Sequence, residues 1–109
     1  MLPKQIIRAA SGWLELGMPE DALNEIKSLP KDHLGDKLVL ELRLAAEMAL
    51  LKWKDAAETA KLLCMEAVDE PDFFLSAAFC LHELGETDEA RQWLLRGPDV
   101  LSEMAVFHY

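Results

Sequence analysis

A seven-residue pattern occurs three times in this chain at one fixed interval, and this periodicity restricts the possible folds more than any other feature. Residues 16–22 read LGMPEDA, residues 50–56 read LLKWKDA and residues 84–90 read LGETDEA. Each copy begins with leucine, carries an acidic residue at its sixth position and ends with alanine, and successive copies are 34 residues apart. Because a period of roughly 20–50 residues is typical of stacked repeats, the pattern predicts a repeat protein.

Each copy contains two stretches in which apolar residues recur at intervals of three and four, as on one face of a helix. The first copy has Ile6, Ala9, Ala10, Trp13 and Leu16, then Ala22, Leu23, Ile26 and Leu29. The third copy has Phe74, Ala77, Ala78, Leu81 and Leu84, then Ala90, Trp93 and Leu94. Gly17 and Gly85 separate the two stretches, and Pro19 suits the first turn of a helix.

The predicted fold is therefore all-α. We expect a solenoid, or α-α superhelix, of three helix pairs that form one domain over residues 1–109. The expected pairs span approximately residues 3–34, 37–68 and 71–98. Residues 100–109 form either a short last helix or the start of a fourth copy, and in the latter case the chain is part of a longer array.

The middle copy departs from the pattern. Arg43 and Glu47 lie at positions where the other copies have apolar residues. The two are four residues apart, so they can pair along a solvated stripe of one helix. The simplest interpretation is that this helix, expected over residues 38–51, is rotated relative to its equivalents.

The spacing and the residue types resemble those of the tetratricopeptide repeat (TPR) family. That family has a period of 34 residues, a small pair on the first helix, a glycine at the turn and an alanine on the second helix. Here the matching residues are Ile6, Ala9, Ala10, Trp13, Gly17, Ala22 and Ile26, and Phe74, Ala77, Ala78, Leu81, Gly85, Ala90 and Leu94. The resemblance implies that Ala22, Ala56 and Ala90 are small because paired helices approach closely there.

The net charge of −9 is concentrated in the last third of the chain. Residues 1–34 carry four basic and five acidic groups, residues 35–68 carry five and six, and residues 69–109 carry two and nine. Binding to nucleic acid or to an anionic membrane requires basic residues at the contact, so neither is expected as a partner.

No export signal or membrane span is visible in the sequence. The start, MLPKQIIRAASGW, lacks the apolar run of a signal peptide, because Pro3 and Arg8 interrupt it. Cys64 and Cys80 form no CxxC pair and lie among helical apolar residues, so buried free thiols are expected. A cytoplasmic protein is the prediction.

Candidate catalytic residues do not converge. The histidines, His33, His82 and His108, are dispersed, and the side chains of Cys80 and His82 point to different sides of a helix because they are two residues apart. Neither the cysteines nor the histidines have the spacing of a metal site, and the glycines are isolated rather than part of a phosphate loop. We predict no enzyme, cofactor or metal. The three tryptophans are expected to pack in the core.

In the TPR family the first helices line a concave groove that holds a peptide or a helix. The resemblance therefore implies a peptide-binding groove with an apolar wall and acidic edges, suited to a partner that carries basic and hydrophobic residues. Its expected residues are Lys4, Ile7, Ser11, Leu14 and Glu15; Leu38, Glu41, Ala45, Met48 and Ala49; and Asp72, Leu75, Phe79, His82 and Glu83.

One specialised function of the family is not expected. Members that hold the acidic tails of chaperones use Lys, Asn and Arg residues as a carboxylate clamp. The matching positions here are Ile7, Ser11, Leu42, Asp72 and Ser76, and none is basic.

Two alternatives to a general peptide-binding module stay open. The apolar end of the chain, residues 104–109, suggests a structural element that self-associates through its C-terminal end. The small size and acidity also resemble those of secretion chaperones built from such repeats.

Overall fold

The structure is a computed structural model, and it describes residues 2–98. This part of the chain is helical, as predicted, and contains six α-helices and one short 3-10 helix. The α-helices are α1 (Pro3–Glu15), α2 (Pro19–Lys27), α3 (Lys37–Ala49), α4 (Trp53–Glu66), α5 (Pro71–Glu83) and α6 (Thr87–Arg96), and the 3-10 helix Lys31–His33 follows α2. No strand occurs in these residues. The last predicted segment, 100–109, lies outside the described residues.

The 34-residue period of the sequence is also the period of the helices. The odd-numbered helices begin at Pro3, Lys37 and Pro71, and the even-numbered ones begin at Pro19, Trp53 and Thr87. Helix α3 therefore begins in the same register as α1 and α5, although its expected bounds were 38–51. The starts of the helices match the expected starts of the three copies, and the packing of the helices into three pairs stays a prediction.

The turn after each odd-numbered helix has the same hydrogen bonds in all three copies. In the first copy the amide of Gly17 donates to the carbonyl of Leu14 (3.0 Å), and that of Met18 donates to the carbonyl of Trp13 (2.8 Å). This pair of bonds is the Schellman motif, which requires a left-handed residue just after the helix. The equivalent bonds follow α3, to Met48 and Glu47, and α5, to His82 and Leu81.

The left-handed residue is a glycine in two copies and a leucine in the third. Gly17 has a φ of 74° and Gly85 a φ of 83°, and Leu51 stands in the middle copy with a φ of 60°. A side chain in this conformation brings its Cβ close to the carbonyl oxygen, which costs about 1–2 kcal/mol. Leu51 is 67% exposed, so burial of its side chain offsets little of that cost.

Leu51→Gly is therefore expected to stabilise the chain by about 0.5–1 kcal/mol, since the relief of strain exceeds the entropy that a glycine adds to the unfolded chain. Urea unfolding followed by circular dichroism measures the change. Gly85→Ala is the matched control, and it should destabilise the chain by about 1 kcal/mol. A lower free energy of unfolding for Leu51→Gly would contradict this account of the turn.

The described chain forms two compact units, which divide between Lys52 and Trp53. The first unit contains α1, α2 and α3, and each of these helices packs against the other two. The core between them consists of Ile6, Ala10, Ala22, Leu23, Ile26, Leu29, Val39 and Ala46. The side chain of Trp13 packs at its edge, where the indole nitrogen donates to Glu25 Oε1 at 3.3 Å.

Arg43 and Glu47 pair as expected, but not on a solvated stripe. The Nε atom of Arg43 lies 3.2 Å from Glu47 Oε2. Glu47 is only 3% exposed, because it occupies the inward position that Trp13 and Leu81 occupy in the other copies. The expectation of a rotated helix rested on two polar residues that should avoid the interior. A charged partner instead makes burial of the carboxylate tolerable, so the register of α3 is unchanged.

In the second unit, α5 packs against both α4 and α6. The buried residues of this unit are Ala56, Ala57, Thr59, Ala60, Leu63, Cys64, Phe73, Phe74, Ala77, Ala78, Cys80, Leu81, Ala90 and Leu94. The indole of Trp93 lies against Phe74, with 6.2 Å between ring centroids. The guanidinium of Arg96 lies 4.9 Å from the centre of the Trp93 ring.

The repeated alanines Ala22, Ala56 and Ala90 have no exposed surface. The close approach of paired helices at these alanines stays a prediction. The repeated leucines differ from the expected apolar stripe. Leu16 is 71% exposed and Leu84 is 41% exposed, because both lie at the cap after the helix, where the chain turns away from the helix face.

An ion pair links α4 to α6. Lys61 Nζ lies 2.8 Å from Glu89 Oε2 and 3.5 Å from Glu58 Oε1. The hydrogen bond from Lys61 lowers the pKa of Glu89, and the same bond raises the pKa of Lys61. Because Glu89 is 40% exposed, solvent and salt screen the pair, and its contribution is about 0.2–1 kcal/mol.

Lys61→Met should therefore lower stability by about 0.5 kcal/mol at neutral pH and low salt. The lowered pKa of Glu89 means that the pair stabilises the fold above the ordinary value of 4.5, and that this contribution is lost as the pH falls through the folded-state value. The raised pKa of Lys61 means that the contribution is also lost in strong alkali, above 10.5. Chemical unfolding at pH 7 and pH 3 measures the difference, with Lys54→Met as the control. An equal effect at both pH values would contradict the assignment.

Candidate binding groove

One face of α1 carries a continuous row of residues that line a groove. They are Lys4, Ile7, Arg8, Ser11, Gly12 and Glu15. Their spacing of three and four residues places them on a single stripe about three turns long, some 16 Å by the rise of a helix. The opposite face of the same helix, with Ile6 and Ala10, is buried in the core of the first unit.

Helix α3 supplies the other wall of the groove through Leu38 and Leu42. Leu38 is 53% exposed, whereas Leu42 and Ile7 also pack against the core below. The groove has a volume of about 520 Å³. Its walls are thus apolar, and they are held in place by side chains that belong to the core.

The charges in the groove are separated along α1. Lys4 and Arg8 lie on the first two turns, and Glu15 lies on the last. On the α3 side, Lys37 Nζ pairs with Glu41 Oε1 at 3.1 Å. The lining residues themselves therefore carry two cations and one carboxylate, in a chain whose net charge is −9. This lining is basic at one end and differs from the acidic edges expected for the groove.

Gly12 leaves an open floor in the groove, closer to its Glu15 end than to its Lys4 end. A Cβ atom built at Gly12 would have no atom within 4 Å outside its own helix, and its φ is not left-handed. Packing and backbone conformation in residues 2–98 thus do not require a glycine here. A glycine in a helix interior costs about 0.5–1 kcal/mol relative to alanine.

Five of the fifteen residues expected from the sequence line this groove, namely Lys4, Ile7, Ser11, Glu15 and Leu38. Leu14 does not, because it turns toward the core of the first unit. In the middle copy, Glu41 is engaged by Lys37, Met48 is half-buried, and Ala45 and Ala49 are exposed beyond the lining.

The remaining expected residues, those of the third copy, lie on α5 in the second unit. Phe79 is 46% exposed, and its ring meets that of Trp53 edge to face at 5.4 Å between centroids. Leu75 is half-buried, and the charged or polar side chains Asp72, His82 and Glu83 are exposed.

Three further residues, Arg8, Gly12 and Leu42, line the groove and are absent from the set expected from the sequence. Arg8 and Gly12 follow Lys4 at intervals of four, so helical periodicity contained the signal for both. Leu42 matches a position where a carboxylate clamp would need a cation, and the family pattern does not otherwise mark it as a groove residue. The register of α3, which appeared uncertain from Arg43 and Glu47, decides that Leu42 faces α1.

The described residues show no other constellation of chemical interest. Within residues 2–98, no group of three His, Cys, Asp or Glu side chains could hold a metal ion. In the same range no helix is long and apolar enough to cross a membrane. His33 Nδ1 lies 3.0 Å from Asp36 Oδ2, on the surface of the loop before α3.

Comparisons with known protein families, with characterised proteins and with solved structures find no match to this chain. The family resemblance therefore rests on the residues and spacings of the sequence itself.

Cys64 and Cys80 are reduced thiols, and both are almost completely buried. Burial raises the pKa of the Cys64 thiol to about 12, which leaves very little reactive thiolate at neutral pH.

We therefore expect neither thiol to react with Ellman's reagent in the folded chain, and both to react after unfolding in guanidinium chloride. The absorbance of the released thionitrobenzoate counts the reactive thiols. The unfolded chain is its own control, since it shows that both cysteines are reduced. Rapid reaction of a thiol in the folded chain would contradict the burial of these side chains.

Proposed function

We propose that this chain is a protein-binding module of the tetratricopeptide type, and that the groove between α1 and α3 holds an apolar segment of a partner protein. The observation that carries the proposal is the groove itself, with its exposed apolar wall at Leu38 and its open floor at Gly12. The 34-residue period of the helices supports the assignment to this type of repeat.

The size of the groove supports a ligand rather than a gap in packing. Its volume of about 520 Å³ lies in the range of roughly 300–1,000 Å³ that is usual for binding sites. Peptides and helices that bind in such grooves place a few apolar side chains between two helices. Leu38 offers such a contact, because more than half of its surface is open to solvent although it lies beside Leu42 and Ile7.

The rigidity of the groove supports binding without rearrangement. Ile7 and Leu42 each contact the buried core of the first unit, so both walls are fixed by the packing that stabilises the fold. A preformed site loses less conformational entropy on binding than a site that must form around its ligand.

The test uses a displayed library of random peptides as the probe. Peptides selected on the native chain are synthesised, and their affinities for the native chain and for two variants are measured by fluorescence anisotropy. Leu38→Asn removes the apolar wall without adding a charge. Leu62→Asn is its matched control, since Leu62 lies on α4 with nearly the same exposure, 49% against 53%.

We expect Leu38→Asn to weaken binding by about tenfold, as is common for a central apolar contact of an interface, and Leu62→Asn to leave it unchanged. Circular dichroism establishes that both variants fold. Selection of no peptide at all, or equal affinities for the two variants, would count against binding in this groove.

A further inference from the structure

The lining of the groove also defines the chemistry of the segment that fits it. We infer that the partner segment seats one bulky apolar side chain over Gly12 and carries an acidic group on one side of that anchor and a basic group on the other. This inference deepens the proposed function and depends on it.

The absence of a side chain at Gly12 indicates where the apolar side chain of the partner, its anchor, lies in the groove. A Cβ atom built at Gly12 would meet no atom within 4 Å outside its own helix, and Leu38 and Leu42 of α3 line the same groove. Since neither packing nor φ in the described chain accounts for a glycine in the middle of α1, its helix-weakening effect has no compensation in the free chain. A glycine at this position has a use if a ligand approaches the helix backbone closely, because a larger residue would occupy the volume that the anchor needs.

Lys4 and Arg8 indicate where the acidic group of the partner segment binds. These two cations are four residues apart, so they lie side by side on α1 and repel one another. Within residues 2–98 neither forms an ion pair with a carboxylate, and the nearby Lys37 and Glu41 of α3 are paired with each other. A carboxylate from a ligand between Lys4 and Arg8 would relieve this repulsion.

Glu15, at the other end of the groove, indicates where the basic group of the partner segment binds. Glu15 is exposed, and it lies three residues beyond Gly12, while Arg8 lies four residues before it. The rise of a helix puts Arg8 about 6 Å and Glu15 about 4.5 Å from Gly12 along the groove. An extended segment spans such distances in about two residues, and a helical segment spans them in three or four.

The partner motif is therefore a large apolar residue with an acidic residue and a basic residue on opposite sides. Each charged residue lies about two positions from the anchor in an extended segment, or three to four in a helix. Because the ends of the groove differ in charge, a segment of either chain direction can satisfy it by orienting its acidic end toward Arg8.

Three synthetic helical peptides test the charges, each with a central tryptophan and with charged residues one turn before and after it. One carries glutamate on one side and lysine on the other, one carries glutamate on both sides, and one carries lysine on both. The peptide with opposite charges should bind about threefold to fivefold more tightly than the other two at low salt. All three peptides are measured on the native chain, on Arg8→Glu and on Glu15→Lys.

The two variants should redirect the preference, whichever direction the peptide takes. Glu15→Lys should shift the preference toward the peptide with two glutamates, and Arg8→Glu should shift it toward the peptide with two lysines. Equal affinities of the three peptides, or the same preference in both variants, would overturn the assignment of charges.

Gly12→Leu tests the anchor. Leucine is a far better helix former than glycine and meets no clash here, so the free energy of unfolding should rise or stay unchanged, while peptide affinity falls at least tenfold. Asn24→Leu, an exposed change on α2 outside the groove, is the matched control and should not affect binding. A loss of stability together with the loss of binding would mean that the glycine is structural.

The outcomes separate the inference from the function on which it depends. If Leu38→Asn weakens binding but Gly12→Leu and the charge variants do not, the groove binds a partner with another chemistry and the inference is wrong. If none of these changes affects binding, the proposed function is wrong as well.

Discussion

The left-handed turn that follows each odd-numbered helix is the constraint on which the rest of the structure depends. It ends α1, α3 and α5 at the same point of each copy, and two backbone hydrogen bonds close it every time. Because the next helix begins two residues after the left-handed residue, the turn determines where each even-numbered helix starts. The middle copy keeps this geometry with Leu51 in place of glycine, at a cost in strain, so the geometry of the turn is retained without the residue best suited to it.

Helix α1 contributes both to the core and to the surface that lines the groove. On α1, Ile6 and Ala10 enter the core, whereas the stripe from Lys4 to Glu15 remains open to solvent. Ile7 belongs to both, since it lines the groove and contacts the core. The packing beneath the groove holds its walls, whereas a few of the lining residues are not constrained by that packing. Gly12 and the charged residues on the stripe are of that kind.

Periodicity allowed much of the fold to be predicted from the sequence, and the departures have identifiable causes. Helix starts were predictable because apolar spacing, proline at the first turn and glycine after the helix are local signals. The exposure of Leu16 and Leu84 was not, because a residue at a cap keeps the spacing of the helix while the chain already turns away. Arg43 and Glu47 suggested a rotated helix, since charge usually indicates an exposed face, but their mutual pairing allows the carboxylate to be buried.

The sequence by itself determined the 34-residue period, the helical class and the small residues at buried positions, because each follows from the local preferences of a few neighbouring residues. Only the tertiary structure decided which residues share the groove. Lys4 and Leu38 are far apart in the chain, and their proximity depends on how α3 packs across α1. The same packing brought Arg8, Gly12 and Leu42 into the lining and turned Leu14 inward. The net charge of the groove could not be calculated from the sequence, because it depends on which side chains of the two helices line the groove.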